Sequence, residues 1–158
     1  MTLTNCELTD FVPFDAARHM HRMHAVHVFG GASAQLNAAR ISGACFGVEL
    51  SVHASAELAD CMVSRADVAC VRVRKGGTGA LKDCTLQDAK ECGLCVHGAG
   101  SRADAHSCKF VRNSRGCGAH AGGVLAATGC ESSESERGGY YAADRGALEV
   151  SELSLIHI

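Results

Sequence analysis

Residues 47–63 read GVELSVHASAELADCMV, and residues 70–86 read CVRVRKGGTGALKDCTL. The two stretches keep step throughout. Val48 and Leu50 answer to Val71 and Val73, Leu58 to Leu81, Cys61 to Cys84 and Val63 to Leu86. Looking outward from this pair, the run LTNCEL at 3–8 repeats the motif, and LNAARI, AHSCKF, ATGCES and LEVSEL are looser copies. The leading position falls at Leu3, Leu36, Leu58, Leu81, Ala105, Ala127 and Leu148, and after the first interval the steps are 22, 23, 24, 22 and 21 residues. A second element holds the same period. It begins at Ala25, Gly47, Cys70, Gly93, Gly118 and Gly139. A fixed period of this kind marks a repeat architecture.

Within the second element apolar residues alternate, as in Val48 and Leu50 or Val71 and Val73, which is the strand period. The motif from Leu58 to Cys61 changes parity once, so a bend between them is needed to turn both inward. Each period therefore reads as three short strands separated by corners, about 47–52, 55–58 and 60–64 in one coil. The period is too short for a strand plus a full helix. The expected fold is all-β: a right-handed parallel β-helix of about six coils, roughly 22 residues each, stacked about 4.8 Å apart. The single domain is expected over 1–153, with a loop insertion near 10–24 and a non-repeat tail at 154–158.

Composition follows from the stack. The 158 residues hold ten Cys, eighteen Gly, one Pro and no Trp. Cys61, Cys84, Cys108 and Cys130 should form one interior ladder, with Cys6 starting it and Ala39 as one rung. Cys92 and Cys117 are assigned to a second ladder. Cys serves there as a small hydrophobe. Gly47, Gly93, Gly118 and Gly139 are expected at corners of positive φ. No positively charged, apolar leader opens the chain, so the cysteines read as thiols of a reducing, intracellular compartment. A net charge of −2 with few aromatics argues against nucleic acid, and no apolar run is long enough to span a bilayer.

The pattern "Gly-Val-x-Val … Ala-x-Leu-x-Asp-Cys-x-Leu" resembles the right-handed β-helix repeats of the pectate-lyase-like superfamily. It is similar above all to the short repeats of carbohydrate-associated and F-box-associated β-helix domains. The resemblance covers about 25–153 and the strand at 3–8. It implies the fold, and a polysaccharide groove along one strand's outer face. It does not imply an activity, because the repeat encodes core packing.

Function must sit on outward positions. One outward row reads His27, Glu49, Arg72, Cys95, His120 and Tyr141, and the next reads Phe29, Ser51, Arg74, His97, Gly122 and Ala143. Glu49, Arg72, Arg74, His97 and His120 are the candidate ligand-binding residues: a mildly cationic strip suited to an acidic sugar or another carboxylate. The bland alternative is a solvated face with a salt-bridge ladder. Related lyases and epimerases use clustered acidic metal ligands with an Arg or Lys base, and related hydrolases use paired Asp. No such set is visible, and no catalytic residue, cofactor or metal is assigned. Asp60 and Asp83 stack, but they belong to the repeat itself. Cys92-x-x-Cys95-x-His97 suggests zinc, yet strand parity sends Cys92 inward and the other two outward. His19, Met20, His21, Met23 and His24 suggest a soft metal, against a surface loop of accidental composition.

The expected function is a non-catalytic scaffold that binds a carbohydrate polymer or a protein along an exposed sheet face. The alternative is a polysaccharide lyase, hydrolase or epimerase, or a fragment of one. The chain opens on strand residues without a cap, and its tail reads as a terminal strand or a sequence scar. Both features point to a piece of a longer solenoid. Open ends favour end-to-end association or continuation into further coils.

Overall fold

The computed structural model describes residues 1–9 and 23–156. The chain winds as a right-handed parallel β-helix. The first coil holds β1 (Thr2–Thr4), β2 (Glu7–Leu8) and β3 (His24–Val28). The second holds β4 (Ser33–Asn37), β5 (Arg40–Ser42) and β6 (Phe46–Leu50). The third holds β7 (Ser55–Ala59), β8 (Met62–Ser64) and β9 (Ala69–Arg74). The fourth holds β10 (Thr78–Lys82), β11 (Thr85–Gln87) and β12 (Cys92–His97). The fifth holds β13 (Arg102–His106), β14 (Lys109–Val111) and β15 (Arg115–His120). The sixth holds β16 (Val124–Thr128), β17 (Glu131–Ser133) and β18 (Gly138–Ala143). A last part-coil adds β19 (Ala147–Ser151) and β20 (Ser154–Ile156). Three parallel sheets result. The first runs β1-β4-β7-β10-β13-β16-β19, the second β2-β5-β8-β11-β14-β17-β20 and the third β3-β6-β9-β12-β15-β18.

Like sits over like, as the period requires. Leu36, Leu58, Leu81, Ala105 and Ala127 pair in register along the first sheet. Cys61, Cys84, Cys108 and Cys130 are buried in one core with Ala39. The bend predicted before each cysteine is a two-residue corner. Asn5, Ala38, Asp60, Asp83, Ser107, Gly129 and Glu152 occupy it with φ between 50° and 61°. Asn and Asp tolerate this left-handed conformation better than other non-glycine residues. Asp60 and Asp83 thus serve the turn. In the first six coils the corner N–H donates to the next coil, as Asp60 does to the Lys82 carbonyl at 3.1 Å. Of the cysteines that follow, Cys61, Cys84 and Cys130 each donate an S–H to a carbonyl of the coil before, Cys61 to that of Leu36 at 3.3 Å. All ten cysteines are free thiols, nine of them buried.

The structure corrects the sequence reading at several places. Leu148 pairs with Leu125, and Val150 pairs with Ala127, so the last step is a full period rather than a short one. Both are apolar and two residues apart, so periodicity alone did not separate them. Gly47, Gly93, Gly118 and Gly139 lie inside strands and are not corner residues of positive φ. What they supply is room: a Cβ on Gly93 would stand 2.5 Å from the Gly116 carbonyl oxygen. Ser154–Ile156 pairs with Glu131–Ser133 and so continues the repeat. The proposed loop at 10–24 lies outside the described residues over 10–22, while His24 already belongs to β3.

Candidate functional site

The third sheet bends near its start. Cys70 and Val71, adjacent in β9, both reach the main core. Phe46, Ala69 and Cys92, in register with one another, instead turn to a small outer cluster with Cys45 and Cys95. The parity argument that sent Cys92 inward fails at this bend. Cys92 shares the outer face with Cys95. Cys117 is not its ladder mate: it pairs with Leu94 and lies in the main core.

The outward rows also shift. His120 stands beside His97, and Gly118 takes the place beside Cys95. The rows are therefore His27, Glu49, Arg72, Cys95, Gly118 and Tyr141, then Arg74, His97, His120 and Ala143. The run Arg115-Gly116-Cys117-Gly118 offers two glycines to align with Gly93, and the sequence reading took the wrong one. The correction has a physical consequence. A Cβ at Gly118 would lie 2.3 Å from the Tyr141 ring. The gap at Gly118 lets that ring fold across toward β12.

Two polar groupings occupy this face. In the first, Glu49 is fully buried, contrary to its expected place on an exposed strip. Its Oε2 accepts from Arg72 Nε at 2.7 Å and from Arg72 Nη2, and its Oε1 accepts from Arg74 Nε at 2.8 Å and lies 2.6 Å from Arg74 Nη2. Arg72 also lies over the Phe46 ring, 3.7 Å from its centroid. Burial pushes the Glu49 carboxyl up, but the hydrogen bonds from Arg72 and Arg74 outweigh it and hold the group below the usual carboxylate range. His24 stacks on Phe46 with its Nδ1 3.6 Å from Glu49 Oε2. Burial lowers its pKa against the pull of Glu49, with His27, Arg72 and Arg74 adding to the lowering. This grouping is first an internal ion-pair network.

In the second grouping, Cys95 Sγ and His120 Nε2 are 3.0 Å apart, and His120 Nδ1 is 3.0 Å from His97 Nδ1. Cys92 Sγ lies 3.0 Å from the Tyr141 hydroxyl, which donates to Cys95 Sγ at 3.8 Å. Burial pushes the Tyr141 phenol up, so it stays a donor. One proton order satisfies the chain: Cys92 S–H to the Tyr141 oxygen, Tyr141 O–H to the Cys95 sulfur, and His120 Nε2–H to the same sulfur.

These residues line a groove of about 280 Å³, together with Arg72, Arg74 and Arg115. The structure brings Arg72, Arg74, His97 and His120 to one groove and seals Glu49 beneath it. Sequence reasoning missed Cys92, Arg115 and Tyr141 as contributors. The correct frame through Gly116 was the signal that would have placed Arg115 and Tyr141, while Cys92 needed the bend of β12. Among the described residues no three His, Cys, Asp or Glu are grouped to hold a metal ion. A larger groove, about 610 Å³, crosses the first sheet past Glu57, Lys82, Asp104 and His106.

No protein-family model matches the sequence, and no curated protein matches it either. The fold is similar to that of the periplasmic alginate epimerase AlgG, at a TM-score of 0.75 and 13% identity over 84% of this chain. That match spans 36% of AlgG, so the chain corresponds to about a third of that protein's length. The fluoroquinolone resistance protein QnrB1, at 14% identity over 94% of this chain and 91% of its own, reaches a TM-score of only 0.25 and carries no argument. The likeness to AlgG establishes the parallel β-helix. It assigns no activity and no membership of the pectate-lyase-like superfamily.

Proposed function

We propose that the chain is a β-helical recognition module that binds an acidic carbohydrate polymer along the outer face of its third sheet. The observation that carries this reading is the groove in which Arg72 and Arg74 of the third coil and Arg115 of the fifth stand beside His97, His120 and Tyr141. Guanidinium groups suit carboxylates through paired N–H donors. An aromatic ring offers a surface for a sugar. Arg72 and Arg74 spend part of their charge on Glu49, which leaves Arg115 as the freest cation of the wall. The outward side chains change from coil to coil, so a polymer laid along the sheet meets the cations of β9 and β15 and the ring of β18 at separate positions set by the coil spacing. The shared fold with a protein named as an alginate epimerase adds a polymer of uronic acids to the candidates.

The test is a binding screen of uronate polymers against neutral glucans at low and moderate salt. The expected result is salt-sensitive retention on the uronates, weakened severalfold by Arg115→Ala. Equal retention of neutral polymers, or indifference to Arg115→Ala, would sink the proposal. The same polymers should be recovered unchanged. Chain cleavage or an altered epimer content would replace the module with an enzyme. Capture of a protein in place of any glycan would overturn the carbohydrate assignment.

A further inference from the structure

We infer that Cys95 is a peroxide-reactive thiolate, held in place by Cys92, His120 and Tyr141 at the floor of the third-sheet groove. The inference does not depend on polymer binding. It rests on a contrast among ten thiols in one small protein.

The ladder cysteines donate to backbone carbonyls inside the core, and Cys70 is pushed up to about 12 by burial. Cys117 is raised well above its ordinary value by the same cause. Of these, Cys6 at the first rung is partly exposed and the rest are buried. Cys95 differs in three ways. It lines the floor of a groove, at 9% exposure. Its sulfur has an imidazole nitrogen at 3.0 Å. It also receives the Tyr141 hydroxyl, whose oxygen is contacted by Cys92. Donors aimed at one sulfur stabilise its anion, and the thiolate is the reactive form. The direction of titration agrees: Cys92 first, then His120 and Tyr141, draw Cys95 below the usual thiol range against the opposing effect of burial. Cys84 and Cys130 are also drawn down, by their cysteine neighbours in the ladder, but both are sealed in the core, so what sets Cys95 apart is its place on the groove. Cys92 moves the opposite way, held protonated beside Cys95 and by burial.

The charged and titratable groups facing Cys95 come from every neighbouring strand. They are Arg72 and Arg74 of β9, Cys92 and His97 of β12, Arg115 and His120 of β15, and Tyr141 of β18. Glu91 borders the groove from the corner before β12. Cations outnumber the accessible carboxylate, which favours an anionic sulfur.

The reaction is a two-electron oxidation with hydrogen peroxide as the oxidant. The Cys95 sulfur attacks one peroxide oxygen. An S–O bond forms as the O–O bond breaks, and the departing hydroxide takes up a proton and leaves as water. Thiol plus peroxide becomes sulfenic acid plus water. Substrate access is through the groove, and the oxidant is small enough for it.

The experiment reads each cysteine by peptide mass spectrometry after brief peroxide treatment of the folded protein. Dimedone traps sulfenic acid. Cys92→Ser is run in parallel, because it removes the neighbouring thiol that would otherwise consume the sulfenate. The expected result is dimedone on Cys95 in Cys92→Ser. In the native chain it is dimedone on Cys95 or a Cys92–Cys95 disulfide. Iodoacetamide then gives the pH profile. The Cys95 rate should change by less than about threefold between pH 6 and 8, where a free thiol of pKa near 8.5 changes well over tenfold. His120→Ala, checked for an unaltered far-ultraviolet spectrum, should restore the steep profile. Dimedone spread over the ladder cysteines, no dimedone on any cysteine of Cys92→Ser, or a free-thiol profile in the native chain would each refute the inference.

Discussion

Glutamate 49 carries a prediction that the structure makes quantitative. Its carboxylate is fully buried and accepts hydrogen bonds from both Arg72 and Arg74. Replacement by Gln keeps the shape and removes the charge. Breaking a buried ion pair from one side costs about 3–5 kcal/mol. Here the arginine side chains are 23% and 31% exposed, so water can recover part of their solvation. The lower end of that range applies, and Glu49→Gln should cost about 3 kcal/mol at pH 7. For a chain of this size that corresponds to a fall in Tm of about 6–12 °C. Urea unfolding followed by circular dichroism supplies the free energy, and repeating it against pH checks the cause. The folded pKa of Glu49 lies below its unfolded value. Its contribution is therefore complete above about pH 4.5 and is lost as pH falls through the folded value. The gap between native protein and variant should not narrow from pH 7 to 5, where protonation of His24 beside Glu49 can only widen it, and should close in stronger acid. A cost under about 1 kcal/mol, or a gap already closing by pH 5, would refute the reasoning.

Other substitutions probe the winding itself. Asn113 is buried, accepts from the Ala89 N–H at 2.9 Å and donates to the Leu86 carbonyl at 2.9 Å; Asn113→Ala should cost about 2–4 kcal/mol and speed amide exchange at Ala89. Gly116→Ala would set a Cβ 2.2 Å from the Gly139 carbonyl oxygen, and should cost about 1–3 kcal/mol in the same unfolding assay, with loss of cooperativity near β15 and β18. Val52 is β-branched at φ 54° and 44% exposed, so Val52→Asn should raise stability by about 1 kcal/mol, read as a higher urea midpoint.

The stacking was legible in the sequence because a parallel stack repeats its side chains at one spacing. Leu58 over Leu81 and Cys61 over Cys84 needed no further information. The bend between Leu58 and Cys61 was legible too, since both face the same core only across one, but its place was not: the expected strand at 60–64 begins at Met62, after the corner Asp60-Cys61. The site was harder to see for a related reason. Its side chains interrupt the repeat, and interruptions remove the landmarks that set the frame. Around Gly116 and Gly118 a shift of two residues keeps glycine under glycine, and only the geometry of Tyr141 and Cys95 chooses between the two. Cys92 was misplaced because β12 bends near its start, which strict alternation does not anticipate. The burial of Glu49 depends on Phe46, Arg72 and His24 closing over it from three coils, a three-dimensional event with no period of its own.

The corner lengths carry one more consequence. Between the first and second sheets the connection is always two residues, from Asn5-Cys6 through Glu152-Leu153. The other two connections vary, as the step from β9 to β10 and the longer one from β12 to β13 show. Extra residues can therefore be accommodated only where the chain enters or leaves the third sheet, and the segment 10–22 does enter there, between β2 and β3. Both margins of that one face are open to new loops, while the seam between the other two sheets is closed to them. A family of proteins built on this winding would diversify around the arginine-lined face by lengthening its borders, leaving the cysteine seam at constant length.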